Sequence, residues 1–301
     1  MKFSIKENKF DFVKHKNKFF LGSFTLFVIG IICLFTFGLN LGIDFSSGSR
    51  VDIHTGQKVI TEEIRSEFET IGLKPDDITY AGERDIAVAE FIGVLSQNEI
   101  AKINTQFSKK YATEPTISTV SPQIGSELAK TSLIAVIISL IGIIIYMTIR
   151  FDLLQGLAAV VALFHDAFFM IAVFSIFQIE INITFIAAIL TIVGYSINDT
   201  IVTFDRIREN MKLNNRVKSL KDVSKIVNLS LAQTLSRSIY TVLTVVFASA
   251  ALLIFGGEAI RTFSLAILIG LITGTYSSIF ISSQLWAVWK GKQLKGRLIN
   301  Y

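Results

Sequence analysis

VGYSINDTIVTFDRIREN, residues 193–210, closes a long apolar run and holds a carboxylate inside it. Asp199 lies about six residues short of the run's end near Phe204. A charge at that depth in hydrocarbon costs roughly 2.5–3.5 kcal/mol on insertion scales. The helix that carries it needs a partner, water, or a proton that comes and goes. The next apolar run holds Arg237, about six residues inside its start. At about 1.5 Å rise per residue, both charges lie roughly 9 Å from the same membrane face. The rest of the sequence reads as a frame for these two residues.

Composition bounds the class. The chain has 301 residues, of which 51% are hydrophobic and 18% charged, with 3 prolines. An average soluble chain carries about 25% charge. The apolar residues gather in runs of about 20, the length that crosses a bilayer core. The net charge of +5 reads as loop charges that fix orientation among membrane lipids. No aromatic–basic stripe or recognised motif supports nucleic-acid binding. The single cysteine, Cys33, lies in the first apolar run, so no internal disulfide forms and the redox compartment stays open.

Residues 1–18 form a lysine-rich tail holding Lys2, Lys6, Lys9, Lys14, Lys16 and Lys18. The apolar run from Phe19 to Leu39 is longer than the 7–15 residues of a secretory signal, and no small-x-small cleavage site follows it. It predicts a retained first transmembrane helix over residues 19–40. Residues 41–124 then form the one large polar domain. Strands are predicted at Arg50–His54, Asp77–Ala81, Asp85–Phe91 and Thr116–Val120, and helices at Thr61–Ile71 and Gln97–Tyr111. The alternation around Ile86 and Val88, with Ala87 and Ala89 outward, fits a half-buried strand. Ser96 with Glu99 three residues on predicts a helix cap. The order βαββαβ is that of a small ferredoxin-like domain. Its tethers, Gly42–Ser49 and Ser121–Ser126, hold Gly42, Gly48, Pro122 and Gly125 and predict hinges. His54 reads as a surface strand residue.

Five further spans, within residues 125–289, are predicted at Thr131–Ile149, Gln155–Phe177, Ile183–Phe204, Leu231–Phe255 and Phe263–Trp289. Residues 205–230 read as a basic loop with Arg206, Arg208, Lys212, Arg216, Lys218, Lys221 and Lys225, and 290–301 as a basic tail. The opposite turns hold only Arg261. The positive-inside rule then places both termini in the cytoplasm and the 41–124 domain on the translocated side. The predicted fold class is a polytopic α-helical membrane protein with six transmembrane helices and one extracytoplasmic α+β domain. Trp286 and Trp289 read as belt aromatics. Gly270 and Gly274 form a G-x-x-x-G pair that predicts close helix packing.

Inside the spans, His165-Asp166 falls in the third helix, Asn198-Asp199-Thr200 in the fourth, and Gln233 with Arg237 in the fifth. His165-Asp166 reads as an internal hydrogen-bonded packing pair, and Asn198 as interhelical glue. One reading of a buried Asp199–Arg237 pair is that it does no more than fix helix register. Desolvation can exceed the Coulomb gain of such a pair, so it says little about stability. A carboxylate that titrates beside a fixed arginine charge is what a proton relay needs. Neither a hydrated nucleophile nor an H-E-x-x-H metal set accompanies His165 and Asp166, which argues against an intramembrane enzyme.

The motifs GIDFSSGS at 42–49, VSPQIGSEL at 120–128, LFHDAFF at 163–169, VGYSINDTIVTFDRIREN at 193–210 and QTLSRSI at 233–239 resemble the SecF family. These are the smaller membrane subunits of bacterial SecD–SecF protein-export complexes, in the resistance–nodulation–division superfamily. The resemblance covers nearly the whole chain. It implies a multi-pass bacterial plasma-membrane subunit, with no enzyme activity and no bound cofactor. Protons would be the coupling ion, helping a preprotein cross the SecYEG channel alongside a SecD partner. It also implies that Asp199 and Arg237 serve proton coupling, flanked by Asn198 and Thr200, with His165, Asp166 and Gln233 as secondary polar candidates. Ser47 stands where the family usually has the first glycine of a Gly-Gly pair, and the 205–230 loop is a few residues longer than usual. A second reading is half of another proton-driven superfamily exporter, of lipid or drug. Such exporters carry larger outside domains and usually two six-helix sets in one chain.

Overall fold

The computed structural model describes residues 11–58, 60–81, 85–214, 217 and 219–299. Lys2, Lys6 and Lys9 of the predicted tail, with Arg216 and Lys218, lie outside the described residues. Among the described residues, six helical stretches are long and apolar enough to cross a membrane. They are α1 (Lys16–Phe37), α5 (Pro122–Arg150), α6 (Leu153–Ile176), α7 (Ile183–Leu213), α8 (Leu220–Phe255) and a last composite stretch. The composite runs from α9 (Glu258–Ser277) through a π-helical turn (Ser278–Ser282) into α10 (Ser283–Ile299). Large apolar side chains face outward on α1, α5 and α8, among them Phe35, Ile138 and Phe247. A surface this apolar belongs in lipid or against another protein.

Helix ends depart from the hydropathy reading. Most of residues 205–230, read as a loop, is helix: α7 runs to Leu213 and α8 begins at Leu220. Good helix formers and i,i+3 pairs such as Arg206–Glu209 at 2.6 Å support the polar ends. Ser219 opens α8 with a capping box, its Oγ accepting from Asp222 N at 3.3 Å. The tether at Ser121–Ser126 is likewise no hinge. Pro122 takes the first position of α5, where its fixed φ suits a helix start. The tail at 290–301 is helical as far as Ile299.

The polar domain holds a four-residue helix α2 (Ile43–Ser46), β1 (Gly48–His54), α3 (Thr61–Thr70), β2 (Asp77–Ala81), β3 (Ile86–Ile92), α4 (Gln97–Tyr111) and β4 (Thr116–Val120). The strands form one antiparallel sheet in the order β4-β1-β3-β2. Ser96 and Glu99 make the predicted cap, with Ser96 N donating to Glu99 Oε2 at 2.7 Å. β3 is turned over relative to its sequence reading. Ala87, Ala89 and Phe91 join Val51, Ile53, Phe68 and Phe107 in the core, and Val88 lies on the other face. The alanines leave room for the Phe68 and Phe107 rings, whose centroids stand 4.6 Å apart.

This domain is docked on the turn between α6 and α7. Gly42 N donates to Ile181 O at 3.0 Å, and Ile181 N donates to Asn40 O at 2.8 Å. Asp44 Oδ2 accepts from Ile183 N at 2.9 Å, capping α7. Arg50 reaches from β1 to Glu180 at 3.1 Å. Glu180 lies close over Gly42, where a Cβ would fall 2.1 Å from its Oε1 and would displace the side chain.

The helical bundle centres on α6, α7 and α9. Gly270 meets Ile192 so closely that a Cβ would fall 2.4 Å from it, and Gly274 meets Ser196 in the same way at 3.1 Å. The small residues let α9 approach α7, as their spacing predicts. Trp286 is not a belt aromatic. It is 2% exposed and sits edge-on to Phe204 in the bundle core.

Candidate functional site within the membrane helices

Asp199 projects from α7 toward α8. Its Oδ1 accepts a short hydrogen bond from Ser238. Its Oδ2 is buried and has no hydrogen-bond partner among the described residues. Asp199 borders a cleft lined by Tyr195, Asn198, Arg237, Thr241 and Thr275. Arg237 shares the cleft but, among the described residues, makes no ion pair with Asp199, and its side chain is exposed. The expected direct bridge is therefore replaced by a hydroxyl contact. The cause is helix geometry. Neighbouring residues point about 100° apart at 3.6 residues per turn, so Ser238 meets the carboxylate directly while Arg237 lines the cleft beside it. Sequence reading singled out the charge and passed over the serine beside it.

The remaining candidates divide into three groups. Asn198 is exposed and lines both this cleft and a second one bounded by Asp205, Arg206, Glu209, Gln233 and Arg237. Gln233 belongs to the second cleft, where its Oε1 accepts from Arg206 Nε at 2.6 Å and Asn210 Nδ2 at 2.9 Å. Thr200 turns away from Asp199 and meets Ser278 at 2.9 Å in the π-helical turn. His165 and Asp166 lie in α6 behind α7. Asp166 is 1% exposed, and its Oδ2 accepts from Ser196 at 2.6 Å and Ser277 at 2.7 Å. His165 Nδ1 stands 3.2 Å from Oδ1. The internal hydrogen bonding expected of this pair is present, but Ser196 and Ser277 were not foreseen. Their helix positions carry no signal beyond small polar residues in apolar runs.

One Asp199 oxygen is held by a hydroxyl and the other has no hydrogen-bond partner among the described residues, while Arg237 lines the same cleft. Comparison with known proteins places the site in context. The family description "Protein export membrane protein SecD/SecF, C-terminal" matches residues 99–292, and the SecD/SecF GG motif matches residues 34–59. The chain belongs to the SecD/SecF family. The protein translocase subunit SecF of Alicyclobacillus acidocaldarius is 39% identical over 95% of both chains. The protein translocase subunit SecDF of Bacillus subtilis is 52% identical over 95% of this chain, which spans 39% of that longer protein. A crystal structure of SecDF from Thermus, described as a translocon-associated membrane protein, superposes with a TM-score of 0.86 at 33% identity. It covers 96% of this chain and 40% of its own.

Proposed function

We propose that this chain is the SecF-type half of a proton-driven protein-export assembly in the bacterial plasma membrane. The observation that carries the reading is the Asp199 carboxylate, which has one oxygen buried without a hydrogen-bond partner among the described residues and borders the cleft it shares with Arg237. In this reading the chain acts as a transport subunit and not as an enzyme. Protons are the coupling ion. A SecD chain is the partner, SecYEG the channel and a preprotein the cargo. Support comes from relatives that are protein translocase subunits. Both termini lie in the cytoplasm, by the loop charges. The polar domain is a ferredoxin-like module on the translocated side, a reading its strand order supports.

One six-helix set leaves the Asp199 cleft and wide apolar faces of α1, α5 and α8 uncovered. The chain alone is therefore expected to be inactive. Vesicles with the channel and its motor ATPase should gain gradient-dependent export only when this chain and a SecD-type partner are both present. Full gradient-dependent export from the chain without that partner would overturn the reading.

A further inference from the structure

Asp166 is buried more completely than Asp199, yet the proposed mechanism does not use it. Among the described residues no lysine or arginine pairs with it; its one ionisable contact is His165, at 3.2 Å. Its other partners are neutral hydroxyls, Ser196 from α7 and Ser277 from α9. Tyr276, also titratable, stacks its ring on the His165 imidazole at 6.0 Å. A carboxylate so placed is costly when ionised and unpaired.

Ser196 joins this group to the Asp199 cleft. Its Oγ donates to Asp166 Oδ2, and the same residue lines the cleft. It lies on α7 three positions before Asp199, within one helical turn. Beyond it, Ser278 Oγ donates to Ser196 O at 3.4 Å and meets Thr200 at 2.9 Å, within the π-helical turn. π-Helical turns inside α-helices recur at functional sites. Asp166, on α6, therefore ties together α7 and α9, both of which line the cleft.

We propose that Asp166 and His165 form a second proton-holding site, linked through the Ser196 hydroxyl to the Asp199 cleft. The site takes up one proton from the cleft side, holds it between Asp166 Oδ1 and His165 Nδ1, and returns it there, so no other bond is made or broken and the site's charge changes by one. The charge of this site then biases how α7 seats against α9, and with it the loading of Asp199. The coupling rests on the proton-driven reading above; the existence of the second site does not.

Infrared difference spectra between acidic and alkaline pH, taken on the full chain purified with its SecD-type partner, test the site directly. Asp166→Asn and Asp199→Asn should each remove a different protonated-carboxyl band. Ser196→Ala, which folds more safely, should shift the Asp166 band and leave it present. Export assays test the coupling. Asp166→Asn should displace the pH profile of gradient-dependent export, whereas a purely structural loss would lower it equally at every pH. An acid-minus-alkaline spectrum unchanged by both Asp166→Asn and Ser196→Ala would overturn the inference. If those bands change while Asp199→Asn keeps its gradient response, the second site stands and the proton-driven reading fails.

Discussion

Ser47 adopts φ 61 and ψ 141, a backbone region that glycine enters readily and other residues enter at a cost of about 1–3 kcal/mol. It occupies the position at which the sequence departs from the glycine usual in the family. The strain is real because its neighbours fix the turn. Gly48 lies so close to Phe91 that a Cβ would sit 2.5 Å from its carbonyl oxygen. Ser47→Gly should therefore raise stability by about 1 kcal/mol, seen as a higher midpoint of thermal unfolding in detergent. An unchanged or lower midpoint would show that the serine is accommodated without strain. At this scale the sequence exposes charges and hides their hydroxyl partners. Asp199, Arg237 and Asp166 stand out in apolar runs, while Ser238, Ser196 and Ser277 look like ordinary helix-packing serines.

β3 carries Glu90 opposite Arg50 on β1 and Asp77 on β2. Burial first, and then the nearby Glu180 carboxylate, hold the Glu90 carboxyl above its ordinary value of 4.5, while Arg50 pulls it down and Asp77 and Asp52 push it up. Because its folded pKa is raised, the folded domain binds this proton more tightly than the unfolded chain does. Its contribution is fully present below the ordinary glutamate value and is lost as pH rises through the raised one. Glu90→Gln should therefore stabilise the domain at pH 8 and flatten its stability between pH 5 and pH 8. Hydrogen exchange of β1 and β3 amides in the full chain measures this; an equal loss of protection with pH in both forms would refute it. Element types were legible because periodicity and caps are local. Element ends were not, since hydropathy marks where lipid stops and polar residues such as Arg206 and Glu209 carry α7 onward. The facing of β3 was also hidden, since alanine fits either side of a sheet until the rings that fill the core are known.

Across the molecule, the polar domain reaches the helical bundle through a few polar contacts at the α6–α7 turn. Arg50–Glu180 at 3.1 Å and Asp44–Ile183 at 2.9 Å are among them. Burial and the carboxylates of Asp44 and Asp52 raise the Glu180 carboxyl against the lowering effect of Arg50. Phe45 also packs against the apolar core of the bundle, so a domain motion during export breaks that contact together with the polar ones. Ser121–Ser126 is helical and the other tether is α2 followed by the start of β1, so the motion proposed here pivots at Gly42 and Ser47, on either side of α2. A reducible bis-thiol cross-linker joining Arg50→Cys and Glu180→Cys, in a Cys33→Ser background, should block gradient-dependent export while the complex stays assembled, and reduction should restore it. Unimpaired export from the cross-linked form would count against domain motion.

The central claim is that Asp199 carries the proton whose passage drives export. A proton crossing 100 mV releases about 2.3 kcal/mol, enough to bias a two-state element. Asp199→Glu, which still titrates, should keep part of the activity. Arg237→Met should lose it, because the cleft then lacks the charge that returns the carboxylate to its ionised form. The most direct measurement is export by the reconstituted complex with and without a proton gradient, comparing the parent with Asp199→Asn. The substitution keeps the side chain's size and a hydrogen-bond partner for Ser238, but removes its titration. The expected result is an assembled complex whose export rate is the same with and without the gradient, at the parent's ungradiented level. A parent-like response to the gradient in Asp199→Asn would contradict the claim and leave Asp199 as a structural contact between α7 and α8.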